Sequence, residues 1–313
     1  MSVFISGSVA YDTILDFDGV FAQHLLADSL EKINLTFQTP LMSKNYGGFA
    51  ANIAYSLKAA GGDPLIVTTV GKDCADYLDQ LQKLDIRTDA IKVIDDAFTP
   101  QAFITTDRLG NQMTAFHEGA MAQADKALPS PEENIDWGIV TPTGVHVMKA
   151  HVNYLRSIGA SIIWDMGQAS AYLSGEEIKW FIDHVDILSL SSYEWDVLAQ
   201  KTSLSVEKVT SLLKALIVTE GGNGAKLYLP EYAPKHFEAL PISGPIYPVG
   251  CGDAFRGGLL RGLSLGLNWD DTMRLASLMG AIKAKSPTAQ GYEATPEKIA
   301  RSFERAFGKS IAL

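Results

Sequence analysis

The amino-acid sequence predicts an α/β fold, in which a doubly wound, mostly parallel sheet carries a small inserted β-sheet that serves as a lid. Short β-rich runs alternate along the chain with segments of helical periodicity, which is typical of parallel βαβ units with helices on both faces. Two other segments alternate apolar and polar residues without a helix following promptly. This pattern is typical of half-exposed strands outside the main sheet.

The main sheet is predicted from short apolar runs. These strands are Val3–Gly7, Leu65–Val70, Ile162–Trp164, Ile187–Leu190 and Ala215–Thr219. A helix is predicted over Asn52–Ala60, because its apolar residues recur on one face and two glycines follow as a stop signal. A second helix is predicted over Ala75–Lys83.

The inserted sheet is predicted from two segments. Lys32–Pro40 alternates apolar and polar residues, and Gln101–Phe116 has the pattern of two strands joined by a turn at residues 107–111. We expect a single α/β domain over residues 1–313, with a lid formed by segments of about 13–45 and 98–118. The alternative for these segments is an edge hairpin without a functional role.

Composition and charge exclude several classes of protein. Asp and Glu (36) outnumber Lys and Arg (26), and the resulting net charge of −10 would repel a nucleic acid. The two cysteines, Cys74 and Cys251, are too few for a disulfide framework. No apolar stretch reaches the ~18 residues that span a bilayer, and no signal peptide is evident. We therefore expect a cytoplasmic protein that binds small molecules, with neither nucleic acid nor membrane as partner.

The most informative motif is Gly250-Cys251-Gly252-Asp253, which lies just before an apolar helical pattern. Glycines allow a sharp turn and close approach of a ligand to the backbone, and a helix start offers unpaired N–H groups. Gly250, Cys251 and Gly252 are therefore a candidate anion hole for a transferring phosphoryl group. Asp253 is the candidate catalytic base. The alternative is that Asp253 only caps the helix.

Two further polar positions are candidates for substrate binding. Asn52 follows Gly47 and Gly48, and its amide offers both donors and acceptors to hydroxyl groups. Asp12 comes a few residues after the first predicted strand, where ligands of doubly wound sheets collect, and its carboxylate can hold two neighbouring hydroxyls. The alternatives are an N-cap asparagine and a solvated turn aspartate.

A glycine-rich turn follows the predicted strand Ala215–Thr219. In this turn, Thr219, Gly221 and Gly224 are candidates to hold a nucleotide. The segment can equally be a hairpin turn that leads into residues 225–229.

The order and spacing of these motifs resemble the ribokinase (pfkB) family of sugar and nucleoside kinases over nearly the whole chain. Its N-terminal signature is matched at Gly47, Gly48, Asn52, Gly61 and Gly71, and its G-A-G-D signature is matched at residues 250–253 with Cys in place of Ala. Within the family, the chain is most similar to bacterial adenosine and nucleoside kinases. The similar stretches are Gly47–Gly62, Gln101–Met121, Asp165–Gln168 and Leu275–Lys283.

The resemblance implies a ribokinase-like fold and an ATP-dependent kinase that phosphorylates the 5′-hydroxyl of a nucleoside, with adenosine expected. It implies that Asp253 deprotonates this hydroxyl and that the amides of residues 250–252 stabilise the phosphoryl group. The resemblance also implies Mg²⁺ bound largely by phosphates. The residues that it implies for binding are Asp12, Asn52, Gly47 and Gly48 for the ribose, Phe37, Phe103 and Phe116 for the base, and Thr219, Gly221 and Gly224 for ATP. For the three phenylalanines, packing within the small sheet is the alternative.

Several positions depart from the family pattern. An N-x-x-E motif that organises metal and phosphates is here Ser191 to Glu194, so that only Glu194 is retained. Tyr247 and Val249 stand where the family usually has Asp and Thr, and Tyr247 cannot supply the carboxylate that helps to bind a monovalent cation. The sequence therefore argues against activation by K⁺.

The departures leave two other functions open. One is a sugar kinase of the same family with a ribose- or fructose-type acceptor. The other is a weakly active member that binds a nucleoside and acts as a sensor or partner. Family members often pair through their lids, and the apolar residues of the lid strands would allow such a homodimer.

Overall fold

The computed structural model describes residues 2–24 and 36–313, in which thirteen strands form two sheets. The nine-stranded main sheet contains β1 (Ser2–Ser6), β4 (Pro64–Gly71), β5 (Ile91–Ile94), β8 (Ile135–Val140), β9 (Ser161–Asp165), β10 (Ile187–Ser191), β11 (Ala215–Thr219), β12 (Ala225–Tyr228) and β13 (Lys235–Phe237). The four-stranded small sheet contains β2 (Ala10–Asp16), β3 (Leu41–Gly47), β6 (Gln101–Thr106) and β7 (Gln112–His117).

The helices of the described residues follow some of the strands directly, and the last three helices are consecutive in the chain. The helices are α1 (Phe49–Ala59), α2 (Ala75–Lys83), α3 (Val145–Ser157), α4 (Gly175–Ile182), α5 (Ser192–Thr202), α6 (Val206–Thr210), α7 (Cys251–Ser264), α8 (Trp269–Lys283) and α9 (Pro296–Phe307). None of them combines the length and apolar character needed to cross a lipid bilayer.

The main sheet has the order β13-β12-β11-β10-β9-β8-β1-β4-β5. The last seven strands of this order, from β11 to β5, run parallel to one another. The chain first builds outward from β1 through β4 to β5 and later continues on the other side of β1 with β8. The strand order therefore reverses between β1 and β8, and the carboxyl ends of these two strands border the crevice in which doubly wound sheets bind ligands.

Apolar side chains cover both faces of this sheet. Ile5 and Ile139 pack toward α1 and α7 on one face, whereas Phe4 and Trp164 pack toward α3 and α4 on the other. Because neighbouring side chains of a strand point to opposite faces, strands buried on both sides read as nearly continuous apolar runs. The predicted α/β fold with a mostly parallel sheet and a separate small sheet is confirmed.

The small sheet differs in part from the prediction. The strand expected over Lys32–Pro40 is wrong for residues 36–40, which are not in a strand, while residues 32–35 lie outside the described part of the chain. The strand of this region begins at Leu41, directly after Pro40, because proline cannot donate a ladder hydrogen bond. Both strands predicted within Gln101–Phe116 are present as β6 and β7.

The helix predicted over Asn52–Ala60 begins three residues earlier, at Phe49. Its N-cap is Gly48, which has a positive φ of 93°. A Cβ at this position would lie 2.5 Å from the carbonyl oxygen of Ser8, so that the backbone here favours glycine on both grounds.

Candidate active site

A cavity of about 940 Å³ lies between the carboxyl edge of the main sheet and the small sheet. Ser8 after β1, Thr143 after β8 and Gln168 after β9 line its floor, and Asp12 and Phe116 of the small sheet line its roof. The first turn of α7 closes one side with Asp253. The site therefore forms where the fold predicts a ligand crevice.

Asp253 is buried, with 7% of its surface exposed, and borders this cavity. Asn52 Nδ2 donates a hydrogen bond to Asp253 Oδ2 at 2.8 Å. The N-cap of α7 is Gly250, and Asp253 makes no capping hydrogen bond, so capping does not account for this carboxylate. Burial raises the pKa of Asp253, while the Arg256 guanidinium, the Asn52 hydrogen bond and the Lys283 ammonium oppose the rise.

Asn52 is held in place by a chain of hydrogen bonds. It lies in the first turn of α1 and is not the N-cap residue. Gln290 Nε2 donates to Asn52 Oδ1 at 2.9 Å and to the Tyr77 hydroxyl at 2.8 Å. Tyr77 in turn donates to the Gly47 carbonyl at 2.6 Å. Because Asn52 Oδ1 accepts from Gln290, its amide nitrogen is directed toward Asp253.

Asp12 enters the cavity from β2, so it belongs to the small sheet and not to a turn. Burial raises the pKa of Asp12 to about 6, and the nearby Asp253 carboxylate adds to the rise. Gly47 lies on β3 beside Asp12, where a Cβ would collide with the Asp12 carboxylate. Gly47 does not line the cavity, and its position indicates that its small size makes room for Asp12.

The predicted anion hole forms the start of α7. Gly250 has a positive φ of 80°, and a Cβ there would lie 2.8 Å from the Cβ of Ala289. Gly250 and Gly252 line the cavity. Cys251 does not line it, and its thiol donates to the Tyr247 carbonyl at 3.3 Å. The amides of this helix start therefore lie beside Asp253, where an anionic group would meet them.

Two buried cations near the helix start were not identified from the sequence. Arg256 lines the cavity one turn after Asp253, and its Nη2 donates to Asp165 Oδ1 at 2.7 Å. Lys283, fully buried, donates to the carbonyls of Tyr247 at 2.9 Å and Ser286 at 3.1 Å. Two sequence signals could have indicated them: Arg256 follows Asp253 by three positions, and Lys283 lies within an otherwise apolar helix.

Three aromatic candidates reach different places. Phe116 lines the cavity and is 53% exposed. Phe103 neighbours it in sheet register but points to the opposite face of the small sheet, since Phe116 pairs with Ala102 and not with Phe103. Phe37 packs against Phe17 and Phe21, with ring centroids 4.7 and 5.2 Å apart. Of the three, Phe116 therefore lines the cavity, Phe37 takes the packing alternative, and Phe103 lies on the other face of the small sheet with 43% of its surface exposed.

The glycine-rich turn after β11 is a hairpin. Thr219 pairs with Ala225 of the antiparallel strand β12, and a 3₁₀ turn over Gly221–Asn223 joins the two strands. Thr219, Gly221 and Gly224 do not line the cavity described above. The hairpin alternative describes this segment, and its contact with ATP stays a prediction.

Glu194 lines the cavity and also caps α5. Its Oε2 accepts from the Ser191 amide at 2.7 Å, while Ser191 Oγ accepts from the Glu194 amide at 3.3 Å. The sequence pattern S-x-x-E, which signals such a capping box, was present at this position. Ser191 therefore caps α5, a structural role that was not evident when it was considered only as a replacement for the asparagine of the family motif.

In the described part of the chain, no three carboxylate, histidine or cysteine side chains cluster as a metal site would require. Mg²⁺ that is bound mainly by phosphates and water needs no such cluster. Glu194 Oε1 makes no hydrogen bond to a described residue and borders the cavity, so it can accept from a water on such an ion. The residues present fit a phosphate-bound Mg²⁺.

Comparison with known proteins identifies the relatives of this fold and site. The sequence profile of the pfkB family carbohydrate kinases matches residues 12–296. The structure of Burkholderia thailandensis nucleoside kinase in complex with inosine is 37% identical, with a TM-score of 0.89 over 99% of this chain and 100% of that one. Its complex with ADP-inosine is 38% identical, with a TM-score of 0.86 over 99% and 97%. A Methanocaldococcus jannaschii nucleoside kinase is 26% identical over 87% of this chain and 90% of its own length.

Proposed function

This chain belongs to the pfkB family of carbohydrate kinases and is a phosphotransferase with an alcohol group as acceptor; from this premise we propose that it transfers the γ-phosphoryl group of ATP to the 5′-hydroxyl of a nucleoside, with adenosine as substrate. The observation that carries the proposal is the buried Asp253 carboxylate, bonded to Asn52, beside the bare amides of α7 in one cavity with Asp12. The relatives with this fold include a nucleoside kinase seen with inosine and with ADP-inosine.

In the proposed reaction, the 5′-oxygen attacks the γ-phosphorus and forms the new P–O bond. The bond from this phosphorus to the bridging oxygen breaks, and its electron pair leaves with ADP. Asp253 accepts the proton of the hydroxyl, and its raised pKa makes it a stronger base than a solvated carboxylate. The N–H groups at the start of α7 stabilise the charge on the transferred group. Mg²⁺, when bound, would neutralise phosphate charge with Glu194 at its water shell.

The polar groups of the cavity suit a ribose. Asp12 and Asn52 face the space in front of Asp253 from two directions, so their oxygen and nitrogen atoms can hold neighbouring hydroxyls while the 5′-carbon points to α7. Phe116 and Gln168 also line the cavity, and we propose that they contact the base. An aromatic face and an amide are suitable partners for a purine.

The function is tested by incubating the protein with ATP, Mg²⁺ and, in turn, adenosine, inosine, other nucleosides, ribose and fructose. We expect ADP release to be fastest with adenosine, and phosphorus NMR to identify a 5′-monophosphate. Asp253→Asn should lower kcat by about 10²–10⁴-fold, the range for a lost general base. Faster turnover of ribose or fructose than of every nucleoside would establish the sugar-kinase alternative. Background turnover in both proteins would support a binding protein.

We further propose that the enzyme needs no K⁺, because Lys283 supplies a fixed monovalent charge. The Lys283 ammonium joins the segment before α7, through the Tyr247 carbonyl, to the segment after α8, through the Ser286 carbonyl. In the described part of the chain it forms no ion pair with a carboxylate. Carbonyl oxygens around a buried positive charge are also the ligands of a bound alkali cation.

The Lys283 proposal is tested first on the unchanged protein. Its turnover in KCl and in choline chloride of equal ionic strength should differ by less than about 2-fold, and a strong requirement for KCl would refute the proposal. Lys283→Ala should lose both turnover and thermal stability, and K⁺ or NH₄⁺ should restore part of each. Exposed Lys285 provides the control, since Lys285→Ala should respond to none of these salts.

A homodimer that forms through the small sheet is also proposed. The face of this sheet opposite the cavity presents Met42 (71% exposed), Phe103 (43%) and Met113 (36%). Large apolar side chains gathered on one exposed face are typical of an interaction surface. The proposal concerns assembly alone, since the residues named for catalysis lie on the other face of this sheet and on α1 and α7.

A further inference from the structure

The guanidinium of Arg256 has more hydrogen-bonding capacity than its surroundings use. Its residue is 7% exposed. Of its three nitrogens, Nη2 binds Asp165, and Nε is buried without a partner among the described residues. Nη1 makes no hydrogen bond to a described residue either. Nε is enclosed, whereas Nη1 is not buried, so the N–H groups of Nη1 are free to donate to a group that enters the cavity.

The free Nη1 points toward the anion hole. A Cβ built on Gly252 would lie 2.7 Å from this nitrogen, and both residues line the cavity. Arg256 follows Asp253 by three positions on α7, so the two side chains lie on one face of the helix. The charge of Arg256 opposes the rise in the pKa of Asp253, as expected for groups in the same small space.

Asp165 fixes the guanidinium in this position. The carboxylate is fully buried at the end of β9, and only its Oδ1 is bonded, to Arg256 Nη2. Stability alone does not explain this ion pair, because the free energy needed to bury two charges exceeds the free energy gained from a single hydrogen bond. A guanidinium that is held by a hydrogen bond at one nitrogen and has another nitrogen without a partner is suited to donate to a phosphoryl oxygen.

We propose that Arg256 is a catalytic residue that donates from Nη1 to a non-bridging oxygen of the transferred phosphoryl group, and that Asp165 is its positioning residue. In this step, as described above, the acceptor oxygen bonds to the γ-phosphorus and the bond from this phosphorus to the bridging oxygen breaks. Arg256 forms only hydrogen bonds in this step, and the proton still moves to Asp253. The inference rests on the phosphotransferase activity and holds whether the acceptor is a nucleoside or a sugar.

The test compares the unchanged protein with Arg256→Met and with the double variant Asp165→Asn/Arg256→Met. The double variant removes both charges, so it leaves no unpaired buried carboxylate if the single variant does not fold. Calorimetric titrations with ADP and with a non-hydrolysable ATP analogue, both with Mg²⁺, measure the affinity that the γ-phosphate adds. We expect both variants to bind the analogue about 10- to 100-fold more weakly and ADP within about 3-fold of the unchanged protein.

Turnover provides the second measurement. Both variants should lose about 10²–10³-fold in kcat, while the KM of the acceptor stays within about 3-fold, as expected for a group that acts on the transferred phosphoryl. Asp165→Asn alone should give a smaller loss, because the guanidinium remains but is no longer fixed. Arg261→Met is the matched control on the same helix, since Arg261 does not line the cavity, and it should change neither measurement.

Equal weakening of ADP and of the ATP analogue, or a double variant with kcat within about 5-fold of the unchanged protein, would overturn the role of Arg256. The two proposals fail in different ways. If no nucleoside is phosphorylated, the nucleoside assignment fails, while the γ-phosphate contribution to binding still decides the role of Arg256.

Discussion

The two sides of the cavity are built differently. On the main-sheet side, the reactive groups bind one another: Asn52 holds Asp253, and Asp165 holds Arg256, all four in buried surroundings. On the small-sheet side, Asp12 makes no hydrogen bond to a described residue, and Phe116 is half exposed. The difference indicates that the groups proposed for phosphoryl transfer are arranged before substrates bind, whereas the groups proposed for the acceptor gain their partners only when the acceptor binds.

Removing the Asp12 charge should have the largest effect on the acceptor side. Asp12→Asn should raise the KM of the acceptor by about 10- to 100-fold, because a hydrogen bond to a charged group contributes about 1.5–3 kcal/mol. The affinity for ADP should stay unchanged, which calorimetry can measure. Loss of ADP affinity of the same size would show that the two sides are not independent.

Phe116 and Phe103 provide a matched pair on opposite faces of the small sheet. Phe116→Ala should raise the KM for adenosine by about 2- to 10-fold, since an aromatic contact contributes about 0.5–1.5 kcal/mol beyond area burial. Phe103→Asp should leave this KM unchanged and lower the apparent mass in light scattering from that of a dimer to that of a monomer. The opposite assignment of these two effects would mean that the cavity face of the sheet has been misidentified.

Asp12 should also affect stability in a pH-dependent way, and this is the smallest expected effect. Its pKa is about 6 in the folded protein and 3.8 as a reference, so the folded state favours the protonated form. The contribution of Asp12 to the free energy of unfolding is therefore fully present below about pH 4, and it is lost as the pH rises through 6.

Asp12→Asn should therefore raise Tm at pH 8 by a few degrees, since about 1 kcal/mol shifts the Tm of a chain of this size by about 2 °C. At pH 4 the variant and the unchanged protein should unfold at the same temperature. A rise in Tm that is equal at both pH values would show that burial of the ionised carboxylate is not its cause. Differential scanning calorimetry without ligands measures both conditions.

The sequence predicted the fold class and brought Asp253, Asn52 and Asp12 to one site, because local signals mark strand ends and glycine-lined helix starts. It did not predict that Ala10–Asp16 is a strand, although the segment alternates, since the glycine and serine before it resemble a turn. It also did not separate Phe103 from Phe116. Which face a strand buries depends on the register between β6 and β7, and register arises only when distant segments pair.

Arg256 and Lys283 illustrate a second limit. Asp165, which binds Arg256, lies 91 positions away, and the Tyr247 carbonyl, which binds Lys283, lies 36 positions away, so no local pattern predicts these two contacts. Lys283 also binds the Ser286 carbonyl, which is three positions away. An isolated basic residue on a helix is ordinarily solvated. Only the packing of α7 and α8 against the rest of the chain excludes water from these two side chains and gives their charges a role.

Asp253 lies close enough to Asp12 for its charge to raise the pKa of Asp12, yet Asp12 belongs to the small sheet and Asp253 to α7. When both carboxylates are ionised, their repulsion therefore opposes a closer approach of the small sheet to α7 in the empty cavity. A molecule with hydroxyl groups relieves it by giving each carboxylate a donor. The empty protein should accordingly become more compact between pH 8 and pH 5, with a smaller radius of gyration in X-ray scattering; an unchanged radius would argue that the small sheet is already fixed. Wasteful reaction of ATP with water would in this way be discouraged by the absence of the acceptor itself.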